Sequence, residues 1–346
     1  MPKPTVSAAA AAASAAILLC LTAPVAAAKD LNVVATFSII GDLARNVGGE
    51  RIALTTLVGP DGDTHVYEPR PADVAAVGAA DVVLSNGLHL EGFLDRLLKA
   101  SGTKATVAEL AQGGDLLRNT QEEHAHGRKE DHGHSHGHED DHKHDHDDDH
   151  KHDHEHDHKH DHEHGHHHGE YDPHAWQSVN NARVYVANIA KAFCAADTKG
   201  CAAYQSNAAA YDKQLQALDT QIRTAMAAIP ADRRTIMTSH DAFGYFAREY
   251  GLRFLAPQSM TTGAEPSAAA IAALIRQIQE QHVSAIFVEN ISNARLTGQI
   301  AQETGLKLSG SLYSDALSAE NGPAASYIDM MRHNAMTIQQ AILGRE

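Results

Sequence analysis

Residues 202–230 read AAYQSNAAAYDKQLQALDTQIRTAMAAIP. The apolar marks fall at Tyr204, Tyr211, Leu215, Leu218, Ile222 and Ile229, and this spacing keeps them on one face of an α-helix. Pro230 cannot continue the helix and ends it. At about 1.5 Å rise per residue, such a helix spans on the order of 40 Å, enough to reach across two small domains. The patterns on its two sides decide the architecture.

Upstream, residues 31–37 (LNVVATF) read as a buried strand. Ser38 is placed to cap a helix through Ile39, Ile40, Leu43 and Val47, stopped by Gly48-Gly49. Strands are expected at 52–58, 81–85 and 103–107, with helices at 71–79 and 90–99. A further helix is expected at 179–193. Downstream, the alternation resumes with strands at 234–238, 253–255, 285–288 and 306–308. Helices are expected at 241–250, 267–281 and 294–304, and Ile328, Met331, Ala335, Ile338 and Ile342 mark a closing one. Strand and helix in alternation imply parallel sheets covered on both faces. The fold class is therefore α/β: two Rossmann-like lobes, each a mostly parallel sheet flanked by helices, joined by one long rigid helix. The expected division is 29–200, 201–229 for the linking helix, and 230–346.

The N-terminus reads as an export signal. Lys3 precedes an apolar stretch at 8–21, and Val25-Ala26-Ala27-Ala28 supplies the small residues for cleavage near Ala28. The stretch is short and Ala-rich for a membrane anchor. Leu18-Leu19 stand before Cys20, where a lipid-modified cysteine would have small residues. The expected location is the periplasm. Removal of the signal leaves Cys194 and Cys201, which an oxidising compartment would join in a disulfide; no CxxC metal spacing is present.

Formal net charge is −16, and residues 121–170 account for most of it, with 17 Asp or Glu against 5 Lys or Arg. The acidity thus belongs to one segment. No part is strongly basic, which argues against nucleic acid as a partner. That segment also holds 20 of the 26 histidines, from His124 to His168, and repeats Asp-His-Lys-His-Asp-His at 141–146, 149–154 and 157–162. It has almost nothing apolar to bury, so it reads as a disordered, metal-attracting insert. Imidazole and carboxylate together suit zinc, and imidazole alone also suits copper, nickel and iron.

Three histidines stand apart in motifs. His65 lies in Gly62-Asp63-Thr64-His65-Val66-Tyr67-Glu68-Pro69, His174 in Asp172-Pro173-His174-Ala175-Trp176, and His240 in Thr238-Ser239-His240-Asp241. Asp315 follows an expected strand in Ser314-Asp315-Ala316. In open α/β sheets, ligands bind beyond the carboxyl ends of strands. Singly, each residue also fits an ordinary hydrogen-bonding or turn role; the combination points to one ion. His89, His282 and His333 lack such context and read as surface or core residues.

These segments resemble the zinc and manganese solute-binding proteins of metal-uptake ABC transporters, the cluster A-I group. The resemblance covers essentially the whole mature chain, including the acidic His-rich insert before D-P-H-x-W. It implies that His65, His174, His240 and Asp315 ligate the metal. Manganese members tend to carry Glu at the third position, so His240 favours zinc, consistent with three nitrogens and one oxygen. Thr64 departs from the pattern, which opens the fourth place to Asp63 or water. Glu68, Asp172 and Asp241 are candidates to orient the ligands or to serve as caps. Trp176 and Phe243 are expected to pack the cleft walls.

The resemblance implies a monomer that captures Zn2+ outside the cytoplasmic membrane and delivers it to a cognate ABC permease. The insert would collect or sense metal, or act only as a solubilising tether. Two alternatives stay open: a storage or adhesion protein in which the insert is primary, and a zinc hydrolase with Asp315 as base. Against the second, no HExxH and no nucleophile elbow is present, so no enzyme is expected. The linking helix predicts small lobe movement, with loop ordering, on metal loading.

Overall fold

The computed structural model describes residues 31–119 and 169–344. The expected signal peptide lies outside the described residues, as does the expected disordered insert at 121–170 except for Gly169 and Glu170, which are placed, with the Glu170 carbonyl accepting the Asn119 N–H at 2.9 Å.

Strands β1 (Leu31–Phe37), β2 (Ile52–Val58), β3 (Val82–Ser85) and β4 (Thr106–Glu109) form one parallel sheet in the order β2-β1-β3-β4. Strands β5 (Thr235–Met237), β6 (Arg253–Leu255), β7 (Ala285–Glu289) and β8 (Leu308–Leu312) form a second, in the order β6-β5-β7-β8. The two orders are the same: each first strand lies between its second and third. Strand order therefore reverses there, and a crevice opens beyond the carboxyl ends. β1 is buried along nearly its whole length, as a central parallel strand covered on both faces must be.

Helices α1 (Ser38–Gly48), α2 (Pro71–Gly78), α3 (Leu94–Ser101) and α4 (Val179–Ala196) accompany the first sheet. The linking helix, α5, runs Cys201–Ala227 and is 27 residues long. It buries Tyr204, Ala208, Tyr211, Leu215, Leu218, Ile222 and Met226, the face read from the sequence. Helices α6 (Gly244–Tyr250), α7 (Ala268–Glu280), α8 (Ala294–Thr304) and α9 (Tyr327–Leu343) accompany the second sheet. A disulfide joins Cys194 to Cys201, tying the end of α4 to the start of α5. No helix among the described residues is long and apolar enough to cross a membrane.

Three local expectations are corrected. Ser38 does not cap α1; its hydroxyl accepts the Leu317 N–H at 2.9 Å instead. The helix expected at 90–99 begins at Leu94, because Gly87, Leu88 and His89 adopt positive φ and residues 90–93 make a turn. The last strand runs Leu308–Leu312 and not 306–308. It is a sheet edge, half-exposed, and its serines and Gly310 conceal it from an apolar-run reading.

One core runs from β1 and α1 through α4, α5 and α9 to Ile236 on β5, Phe287 on β7 and Leu312 on β8. A smaller core lies under α7 and α8, on the other face of the second sheet, with Met237, Leu255, Leu274, Ile278, Ile286 and Ile300.

Candidate metal centre

His65 occupies the turn after β2. One Asp63 oxygen accepts the His65 N–H at 2.9 Å and the other accepts the Thr262 hydroxyl at 2.5 Å, a link across the cleft. Asp63 is thus engaged as a turn residue. The His65 side chain is 4% exposed and lines a cavity of about 710 Å³ with His89, Glu91, Tyr171 and residues 259–261.

His174 opens a short 3-10 turn, residues 175–177. The Asp172 Oδ1 atom accepts the His174 backbone N–H at 2.9 Å and lies 2.7 Å from its Nδ1. This loop is held in turn: Asn86 donates to the Pro173 carbonyl at 2.9 Å, and Tyr245 donates to the Asp172 carbonyl at 2.7 Å.

His240 leaves the end of β5 fully buried. Glu289, the last residue of the adjacent strand β7, turns its carboxylate onto it. Oε1 accepts the Ser239 and His240 N–H groups at 2.8 and 2.9 Å, and Oε2 lies 2.6 Å from His240 Nδ1.

Asp315 follows β8, yet its segment is fastened to the first sheet's side of the molecule. The Ser314 carbonyl accepts from Trp176 Nε1 at 2.9 Å and Gln177 Nε2 at 2.8 Å. Ser38 holds Leu317, and Asp42 Oδ2 accepts the Tyr327 N–H at 2.9 Å. Asp315 thus comes from the second sheet, like His240, but its segment is also fastened to α1 and to the Trp176 turn on the first sheet's side.

The structure brings all four side chains together. Each offers one ligand atom, and these atoms all lie within 4.8 Å of one another. His65 Nε2 is 3.4 Å from His174 Nε2 and 3.0 Å from Asp315 Oδ2; His240 Nε2 is 3.2 Å from Asp315 Oδ2. Atoms on a tetrahedron with bonds of about 2.0 Å lie about 3.3 Å apart, so an ion fits among them. The donor chemistry fits too. His240 Nε2 and Asp315 Oδ1, which face the cluster, are buried with no partner in hydrogen-bond geometry. Atoms in that condition call for a different partner.

The chain matches, over residues 33–341, the family described as zinc-uptake complex component A, periplasmic (ZnuA). This chain belongs to that family. It is a metal-binding solute-binding protein of an ABC transporter, and not an enzyme. Among curated relatives of ZnuA, the manganese-binding lipoprotein MntA of Halalkalibacterium halodurans is 30% identical, covering 89% of this chain and 87% of that one. The iron-binding protein YfeA of Yersinia pestis is 28% identical, covering 90% and 86%. The solved periplasmic zinc binding protein TroA from Treponema pallidum is 26% identical, with a TM-score of 0.73 over 91% of this chain and 99% of that one. The shared ZnuA architecture is the two parallel-sheet lobes described above.

The centre of this ZnuA-family chain is electrostatically coupled. Burial disfavours charge on His240, but Glu289 and Asp315 beside it carry its pKa well above 6.5. Burial likewise opposes His174, and Asp315 and Asp172 raise it. Burial would push Asp315 up, yet His240 and His174 hold it well below the usual carboxylate range. Of the three acids that were candidates to orient ligands or to serve as caps, Asp172 lies 2.7 Å from a ligand ring, at His174 Nδ1. Glu68 is exposed. Glu289 was not legible, since 49 residues separate it from His240 and only strand pairing unites them. Trp176 does pack the site, 5.4 Å from the His174 ring, and also anchors Ser314. Phe243 stacks on Phe254 at 5.0 Å.

Proposed function

We propose that this chain captures zinc among His65, His174, His240 and Asp315 in the periplasm and delivers it, as a monomer, to a cognate ABC permease. The observation that carries this reading is the convergence of three imidazole nitrogens and one carboxylate oxygen within 4.8 Å. Three nitrogens and one oxygen suit zinc, whereas manganese favours more oxygen. The curated relatives' names span manganese and iron, and the TroA neighbour is named for zinc, so the donor set guides the choice here. The ion is cargo: four protein ligands close the sphere and leave no open position for reacting water.

The division into 29–200, 201–229 and 230–346, and export with cleavage near Ala28, belong to the same proposal. So does an auxiliary collecting or sensing role for the His-rich insert, based on its composition. Calorimetric titration of the intact protein tests the reading. One tight zinc site is expected, weakened at least about tenfold by His65→Ala, His174→Ala or His240→Ala, and not displaced by excess manganese. Unchanged affinity in those variants, or tighter manganese binding, would overturn it. Deleting residues 121–170 should preserve the tight site; its loss would favour a storage protein.

A further inference from the structure

Two of the three converging histidines are held in the same way from different parts of the chain. In each, one carboxylate accepts the backbone N–H of the histidine and also lies directly against its ring Nδ1. Asp172 does this for His174, two residues away. Glu289 does it for His240 from the end of the neighbouring strand, with Oε1 on the backbone and Oε2 2.6 Å from Nδ1. In both, Nε2 is left facing the cluster: His174 Nε2 lies 3.4 Å from His65 Nε2, and His240 Nε2 lies 3.2 Å from Asp315.

A neutral imidazole carries one ring proton, and its other nitrogen is the metal donor. An ionised carboxylate can only accept. Placed against Nδ1, it therefore assigns the proton to Nδ1 and the lone pair to Nε2. We propose that Glu289 is the positioning residue that makes His240 a metal donor, by fixing its tautomer and ring orientation. The proposal rests on the metal reading above. Glu289 itself stays outside the ligand group: its Oε1 is committed to two backbone N–H groups and its Oε2 faces Nδ1, on the side of the ring away from Asp315. Selectivity follows from it. Without the Nε2 lone pair of His240 the nest keeps two imidazoles and a carboxylate, a poorer set for zinc.

The test is Glu289→Gln, nearly identical in shape. The amide oxygen can keep both backbone hydrogen bonds, which turns the NH₂ toward Nδ1. Nδ1 must then accept, and the proton moves to Nε2, aimed at the ion. Zinc affinity should fall about 10- to 100-fold, with the zinc-over-manganese ratio falling alongside it. Nitrogen-15 NMR of the histidine rings in ion-free protein, in alkaline buffer, should show the His240 proton on Nδ1 in the wild type and on Nε2 in the variant. The wild-type spectrum alone is decisive should the variant not fold: a proton on Nε2 overturns the proposal. Wild-type affinity in a folded Glu289→Gln overturns it as well. His240→Ala run in parallel separates the two claims. If that variant loses affinity while Glu289→Gln does not, the ligand set stands and the positioning role falls. If His240→Ala binds zinc as the wild type does, the ligand set itself falls.

Discussion

His174 and His240 hold a ring proton more tightly than a free imidazole does, and an incoming ion must displace it. The two histidines have raised pKa values, so their contribution to the stability of the ion-free protein is full below their unfolded value near 6.5 and is lost as pH rises through the folded one. Asp315 is lowered, so its contribution is present above its unfolded value of 3.8 and is lost as pH falls through the folded one. The ion-free cluster is therefore at its best between about pH 4 and pH 6.5. Zinc requires neutral rings, so its stabilisation of the fold should grow from about pH 6 to about pH 8, with protons released on binding. Melting curves with and without zinc across that range, and calorimetry in buffers of different ionisation heat, check this; a pH-independent gain would contradict it. Glu91 offers a separate test. Burial drives its carboxyl up to about 7 despite hydrogen bonds from Asn86 and Thr36. Its contribution is full below 4.5 and lost as pH rises through about 7, so Glu91→Gln should flatten the ion-free stability profile over that interval. The motif histidines were legible at this scale because each sits among distinctive neighbours. Glu289 stands in Phe287-Val288-Glu289-Asn290, a strand end with no such mark.

At the level of elements, the site depends on three fastenings between segments far apart in the chain. The 3-10 turn at 175–177 grips the Ser314 carbonyl with two donors, and α1 grips Leu317 and Tyr327. Trp176→Phe keeps a ring in the core and removes one donor. It should cost about 1 kcal/mol of stability and weaken zinc binding through Asp315, with Gln177 retaining a partial hold. The third fastening is steric. A Cβ on Gly244, at the start of α6, would stand 2.8 Å from Asp172 Oδ2. Gly244→Ala should therefore cost about 1–3 kcal/mol and disturb the carboxylate that orients His174. Gly298 in α8 is the control. A Cβ there meets nothing within 4 Å, so Gly298→Ala should stabilise by about 0.5–1 kcal/mol and leave affinity alone. Denaturant melts and zinc titrations of the two alanine variants distinguish them. Elements were readable where periodicity was strong, as in α5 and α8. They were misplaced where tertiary partners intervened: Ser38 looked like a cap because its real partner, Leu317, lies 279 residues away.

The molecule as a whole has one core threading both sheets, with α5 as its spine. Hinge closure would have to break that core, so apo and zinc-loaded protein should give nearly superimposable small-angle scattering profiles, and a gross difference in size would contradict this. The Cys194–Cys201 disulfide pins the base of the spine to α4. Cys194→Ser should cost about 2 kcal/mol, read in denaturant melts. Two α/β alternations flanking a long amphipathic helix made this architecture legible, because parallel-sheet physics leaves few ways to cover such strands. The fastening of Asp315 was not legible, since nothing local to residues 311–317 reveals which half of the protein receives them. That fastening has a bearing on how the molecule matures. A nascent chain has all three histidines of the nest before Asp315 is made and before residues 314–327 dock on α1 and the Trp176 turn. Completion of the four-donor nest is thus delayed until the longest-range closure among the described residues.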